Sequence, residues 1–228
     1  MSSYNLSEVS ITHQEKLRLL VRVREGLITE FLDEVHEIAD REKLTTGGVI
    51  SRLQDTFCRG VGHYASQSSI LGARVAFVRA LMSYSALEPG LRRVIITERD
   101  RKGDTPLHEA CWLGNTKMAR LLVGFGARLD IVNKFEETPV HRAVRSQKLD
   151  TILYVIHLPG APLNAKNKNR ETALHLAAEL GDYYALDAML ALGQHIDNCR
   201  DRFGRTAKDV AEAHQWWETA VVLGHYGY

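Results

Sequence analysis

The chain has very little with which to cross-link itself. Three cysteines, Cys58, Cys111 and Cys199, occur in 228 residues. An odd number at wide spacing fits neither a disulfide framework nor a zinc-ligand pattern, so they read as reduced thiols of a reducing compartment. No apolar run approaches the roughly 20 residues of a membrane span. The opening MSSYNLSEVSITHQEK lacks the basic and apolar regions of a secretory signal. The expected location is therefore intracellular, cytoplasmic and/or nuclear, with no membrane partner. An excess of one charge is missing as well: Lys plus Arg number 29 against 28 for Asp plus Glu, which argues against a nucleic-acid stripe. There is no Gly-rich phosphate loop, no HExxH and no paired-carboxylate motif. The expectation is a protein that is not an enzyme and needs no cofactor, metal or small-molecule substrate.

What is present is a period. Thr-Pro-Leu-His at Thr105 to His108 returns as TPVH at Thr138 to His141, as TALH at Thr172 to His175, and weakened as TAKD at Thr206 to Asp209. The threonines are spaced by 33, 34 and 34 residues, and a constant interval of that size marks stacked structural repeats. Each threonine suits a helix N-cap, and Pro106 and Pro139 suit the first helical position, where a proline loses no hydrogen bond. Five residues before each threonine stands Asp100, Asn133, Asn167 or Asp201, side chains that close Asx turns. Gly103 and Gly204 supply the positive φ a tight turn needs. Small residues follow in the first helix, among them Ala110, Cys111, Ala143 and Ala177, and Gly114 and Gly181 end it. The second helices carry stripes such as Leu122, Ile152, Val155, Leu186 and Met189, which one repeat alone cannot bury.

These residues, in register from about Asp100 to Val222, resemble the ankyrin-repeat family. The resemblance implies an all-α ankyrin solenoid with short β-hairpin fingers, and a helical N-terminal region is expected to pack on it. It assigns residues 100–223 to the repeats, the last a C-terminal cap, 224–228 to a tail, and 1–99 to the N-terminal region. It also implies a structural role for His108, His141 and His175, linking turn backbones. Being about 33 residues apart in a linear stack, they cannot converge on a metal.

Departures from the pattern carry their own expectations. Glu136 and Arg170 replace the hairpin glycine, which suggests a different turn there or a functional constraint. Gln147 replaces the interhelical glycine, suggesting a different helix junction. Lys208 and Asp209 suit a terminal repeat facing water, with Trp216, Trp217, Val221 and Leu223 closing the last helix on the repeat before it.

The N-terminal half is less legible. Residues 14–41 read as one long amphipathic helix or, because of Gly26, a helix pair. LTTGG at 44–48 reads as a break, Val49 to Tyr64 as a second helical stretch, and Gly72 to Tyr84 as a stronger helix. Ser85 to Thr97 reads as a loop with a short extended piece. The half fits either degenerate ankyrin units with insertions or a separate helical cap, and the lack of a flexible linker favours one stacked body. Cys58 and His63 are its only visible chemistry, so a regulatory or catalytic N-terminal domain is the alternative function.

In ankyrin units, positions just before the threonine sit on the finger, and those four, seven and eight after it line the inner-helix face. The resemblance therefore implies a partner-binding surface of Arg101, Lys102, Asp104, Glu109, Trp112, Leu113, Lys134, Phe135, Glu137, Arg142, Arg145, Lys168, Glu179, Arg202, Phe203 and Arg205. Basic residues outnumber acidic ones on the fingers, and large aromatics on a solvent-facing ridge need something to meet. The expected partner is a protein with an acidic or mixed-charge surface, and the expected role that of adaptor, inhibitor or assembly factor.

Overall fold

The computed structural model describes residues 11–54, 56, 59–66, 91–192 and 199–227. The chain divides into two compact units, Met1–Arg101 and Lys102–Tyr228. Every element among the described residues is helical.

In the first unit, α1 (His13–Glu25) begins at a capping box, Thr12 accepting from the Glu15 amide while Glu15 reaches back. Gly26 then takes the left-handed conformation at φ 77° and ends the helix. That junction makes the 14–41 stretch a helix pair, with α2 spanning Ile28–Glu42. The two pack through Leu19, Leu20, Val23, Phe31 and Val35, all fully buried, and Arg18 and Arg22 both hold the buried Glu34. Three expectations fail here. LTTGG is not simply a break, since α3 (Thr46–Ile50) starts inside it. Val49 to Tyr64 is interrupted, because α4 spans only Val61–Ser66. The VIIT segment is helical, as α5 (Leu91–Thr97): burying Ile95 on one side needs a helical period as much as a strand, and an apolar run this short does not discriminate. The helix expected over 72–84 lies outside the described residues, as does Cys58.

The second unit is a series of helix pairs, each an inner helix and an outer helix. The pairs are α6 (Pro106–Trp112) with α7 (Thr116–Gly124), α8 (Pro139–Ser146) with α9 (Leu149–Ile156), α10 (Ala173–Leu180) with α11 (Tyr183–Ala191), and α12 (Ala207–Ala213) with α13 (Trp217–His225). Inner helices stack on inner helices and outer on outer, so small residues such as Ala110, Ala143 and Ala177 are fully buried at close approach. The fingers between pairs are Asx turns. Asn133 Oδ1 accepts from the amides of Phe135 and Glu137, Asn167 Oδ1 from Asn169 and Glu171, and Asp201 Oδ1 from Phe203 and Arg205, all at 2.8 to 3.0 Å. No described residue forms a strand; adjacent fingers are instead joined by single backbone bonds, Lys134 N–H to the Lys102 carbonyl, Lys168 to Phe135 and Arg202 to Asn169.

The departures from the glycine pattern do not change the turns. Glu136 and Arg170 sit at φ 59° and 62°, in the same left-handed region as Gly103 and Gly204, and Gln147 takes φ 54° where Gly114 and Gly181 stand. The fold imposes the conformation, and these side chains bear a strain of about 1 kcal/mol each. The last pair also differs from expectation: Leu223 is buried and Trp216 lies over Gly181, but Trp217 and Val221 face solvent.

Candidate functional site

The motif histidines form a ladder along the stack. Each Nδ1 accepts from the motif threonine's own amide, as His108 does from Thr105 at 3.1 Å, His141 from Thr138 and His175 from Thr172. A nitrogen that accepts from an amide has no proton, so Nε2 carries it and donates to the next finger's carbonyl: Glu137, Glu171 and Arg205 at 3.0, 3.2 and 3.2 Å. Burial lowers the pKa of His141 and His175, overcoming the opposing pull of those carbonyls, and keeps the rings neutral. In the last pair Asp209 replaces the histidine and accepts from Thr206 N–H at 2.7 Å. Cys111 is equally structural, since burial pushes its thiol up to about 12.

The residues interleaved with this scaffold separate into two sets. Asp104, Glu137 and Arg142 are buried, not presented to solvent. Asp104 accepts from Asn133 Nδ2 at 2.7 Å and from Arg142 at 3.1 Å. Arg142 also lies 3.5 Å from Glu137, whose other oxygen accepts from Arg145 Nε at 2.8 Å. The guanidinium of Arg142 caps the Trp112 ring at 4.4 Å. Two carboxylates and two guanidiniums thus neutralise one another across two fingers and one inner helix, α8. The family resemblance implies that these groups face a partner; the structure turns them inward, where Asp104 and Glu137 of the fingers meet Arg142 of the inner helix.

The second set stays exposed. Phe135 and Phe203 are 51% and 65% exposed, with Trp112 and Leu113 at 42% and 43%. Phe203 is flanked by two cations, Arg202 at 4.6 Å and Arg205 at 5.0 Å, while Arg205 is held by Asp201 at 2.8 Å. Burial works against the Asp201 anion, yet the Arg205 hydrogen bonds prevail and hold its carboxyl below the usual range. Arg202 also donates to Asn169 at 3.1 Å. Lys102, Lys134, Lys168, Arg170 and Arg202 line the fingers as exposed residues, against exposed Glu136 and half-exposed Glu171. Glu109, Arg145 and Glu179 are half-exposed on the inner helices, and Arg101 is exposed within the first unit. Glu136 and Arg170 were absent from the sequence-based surface; their register with the tip glycines Gly103 and Gly204 was the signal available to find them.

Within the first unit, His63 and Glu98 are both buried, with Nδ1 3.9 Å from Oε2. Burial raises the Glu98 carboxyl to about 8 against a hydrogen bond from the Gly62 backbone, so at neutral pH it is a neutral acid. Its oxygens fill the space where a Gly60 side chain would stand. Among the described residues no group of His, Cys, Asp and Glu could hold a metal ion, and no helix is long and apolar enough to cross a membrane.

Comparison with known proteins agrees with this architecture. The family described as Ankyrin repeats (3 copies) matches residues 63–167 and 120–200. Over 134 residues the chain is 35% identical to human B-cell lymphoma 3 protein, an alignment covering 56% of this chain and 29% of that one. It is 30% identical over 127 residues to the probable 26S proteasome regulatory subunit p28 of Saccharomyces cerevisiae, covering 54% and 55%. It is 32% identical over 121 residues to the NF-kappa-B inhibitor cactus of Drosophila melanogaster, covering 50% and 22%. Each alignment thus spans less than two thirds of the relative's length.

Proposed function

Because the chain belongs to the ankyrin-repeat family, we propose that it binds a protein partner along the fingers and inner helices of the Lys102–Tyr228 unit, acting as adaptor, inhibitor or assembly factor and catalysing no reaction. The observation that carries this reading is the separation of charge. Asp104 and Glu137 are consumed internally by Arg142 and Arg145, and Asp201 by Arg205. The finger edge is left with exposed cations around two exposed phenylalanines. Aromatic rings beside arginines are the composition of interface centres, and the cations steer an acidic partner into register. The complement is an acidic protein segment with apolar side chains that fit beside Phe135 and Phe203. Relatives named as an inhibitor and as a regulatory subunit support a role within a protein assembly, and an intracellular one.

The test replaces Phe135 and Phe203 with Ala and Lys168 with Glu. None of these side chains belongs to the buried charge network, unlike Arg145. Captured partners from native lysate, identified by mass spectrometry, are compared with wild type. Expected is loss of the specific partners, with affinity reduced by about a hundredfold or more and helical circular dichroism and melting temperature unchanged. Undiminished capture of every partner by the triple variant sinks this surface.

A further inference from the structure

In the first pair of the second unit, the outer helix α7 turns one strip toward α9, the outer helix that follows it; the first position of that strip is Leu149 in α9 and Tyr183 in α11, both 38% exposed. Thr116, eleven residues after its motif threonine, meets Thr151 of α9, Oγ1 to Oγ1 at 2.6 Å. Arg120, one turn on, lies over the Tyr154 ring at 4.3 Å. In the final pair these two positions are Trp217 and Val221, 63% and 58% exposed. A terminal repeat needs a polar outer face to stay soluble. Here the inner helix obeys that rule and the outer helix reverses it. Lys208 and Glu212 stand where Leu107, Val140 and Leu174, and Cys111, Val144 and Ala178, are buried upstream, and they pair with each other at 4.0 Å. A further ankyrin pair stacked on this face would bury both charges. The apolar part that remains is one helix wide.

We propose that this strip is a self-association surface, on which α13 of two copies pack antiparallel about a two-fold axis. Three features of α13 fit that occupant. Trp217, Val221 and Gly224 fall at i, i+4 and i+7 on one face of the helix, the largest side chain near one end and none at the other. Antiparallel pairing therefore seats each Trp217 in the hollow over Gly224 of the other copy. That hollow is bordered by Lys208, whose Nζ would stand 3.5 Å from a Cβ placed on Gly224, so the indole face meets a cation there. Third, α13 is acidic in its first turn at Glu218 and basic in its last at His225. Both flank the strip, and the antiparallel arrangement sets each Glu218 beside the other copy's His225, with opposed helix dipoles. An interface whose apolar centre is one tryptophan and one valine per copy is small beside the ~800 Å² per partner of a stable complex. The association is accordingly weak and concentration-dependent.

Sedimentation equilibrium of the full chain, from about 1 to about 200 µM so as to bracket a micromolar constant, tests this. Wild type shifts from monomer to dimer across the range. Val221→Glu, which buries a charge in the strip, and Gly224→Leu, which fills the hollow, each weaken the dimer by about tenfold or more. Both positions are exposed, so both variants keep the helical circular dichroism of wild type, and Gly224→Leu melts no lower than wild type because a helical glycine is replaced. A monomer at every concentration overturns the proposal, and so does a dimer that survives either substitution. Association only with a different protein through this face overturns it as well.

Discussion

Arg142 is the residue on which the finger region depends. It is buried, and only the Asp104 and Glu137 carboxylates, with the Trp112 ring, make a charge tolerable at that depth. A buried ion pair adds little net stability over an apolar equivalent, but removing one partner strands the other. Arg142→Ala takes the paired cation from Asp104, leaves Glu137 to Arg145, and uncovers Trp112. The expected loss is about 3–5 kcal/mol, read from urea unfolding followed by circular dichroism. A loss below about 1 kcal/mol, the range of an exposed ion pair, would show that the network is solvated and that Arg142 is available to a partner. The same residue shows what sequence alone could not give. Its offset from the motif threonine places it on the correct helix face, but whether a side chain on that face meets solvent or a finger carboxylate depends on where Asp104 and Asn133 come to rest, one repeat earlier.

At the level of the element, the histidine ladder ties stability to pH. The ordinary histidine value is 6.5 and burial lowers His141 and His175 below it. Above pH 6.5 both rings are neutral whether the chain is folded or not, and the ladder is intact. As pH falls through 6.5 the unfolded chain takes up protons that the folded rings refuse, so stability is lost until the folded values are passed. The expected outcome is a urea midpoint for the second unit that declines between about pH 7 and pH 5, with the decline reduced in His141→Asn. A midpoint independent of pH over that interval would contradict the tautomer drawn from the amide contacts. Asp209, whose Thr206 amide bond lowers its pKa, stays ionised throughout that interval, so the last pair is spared. These helices were legible in advance because each signal was local: Thr-Pro caps, Asx residues, a left-handed residue after the inner helix. The tips were legible only in part. Glu136, Arg170 and Gln147 suggest new turns, yet all three take the glycine conformation: Glu136 and Arg170 on fingers joined to their neighbours by backbone bonds, Gln147 as the helix cap whose N–H donates to the Val144 carbonyl. In the first unit the local signals thin out, and an apolar run as short as VIIT fits a strand period as well as the helix it forms.

For the molecule as a whole, a net charge of +1 conceals how the charges are spent. Pairing within the second unit removes Asp104, Glu137 and Asp201 from the surface together with Arg142, ties the half-exposed Arg205 to Asp201, and leaves the exposed lysines and arginines on one edge. Composition placed the chain among neutral proteins, whereas an approaching partner meets the field of that edge within about 10 Å at 0.1 M salt. Steering by such a field acts on association more than on dissociation. For whichever partner Phe135 and Phe203 hold, the association rate should therefore fall by about tenfold between 50 and 300 mM salt, while the dissociation rate changes little. Lys134→Glu with Lys168→Glu should remove most of that salt dependence, because both lie at the edge and outside the buried network. Stopped-flow association of wild type and the double variant separates the two contributions. A wild-type rate indifferent to salt would mean that Phe135 and Phe203 find their partner without help from charge, and that the cations serve only to keep an aromatic ridge in solution.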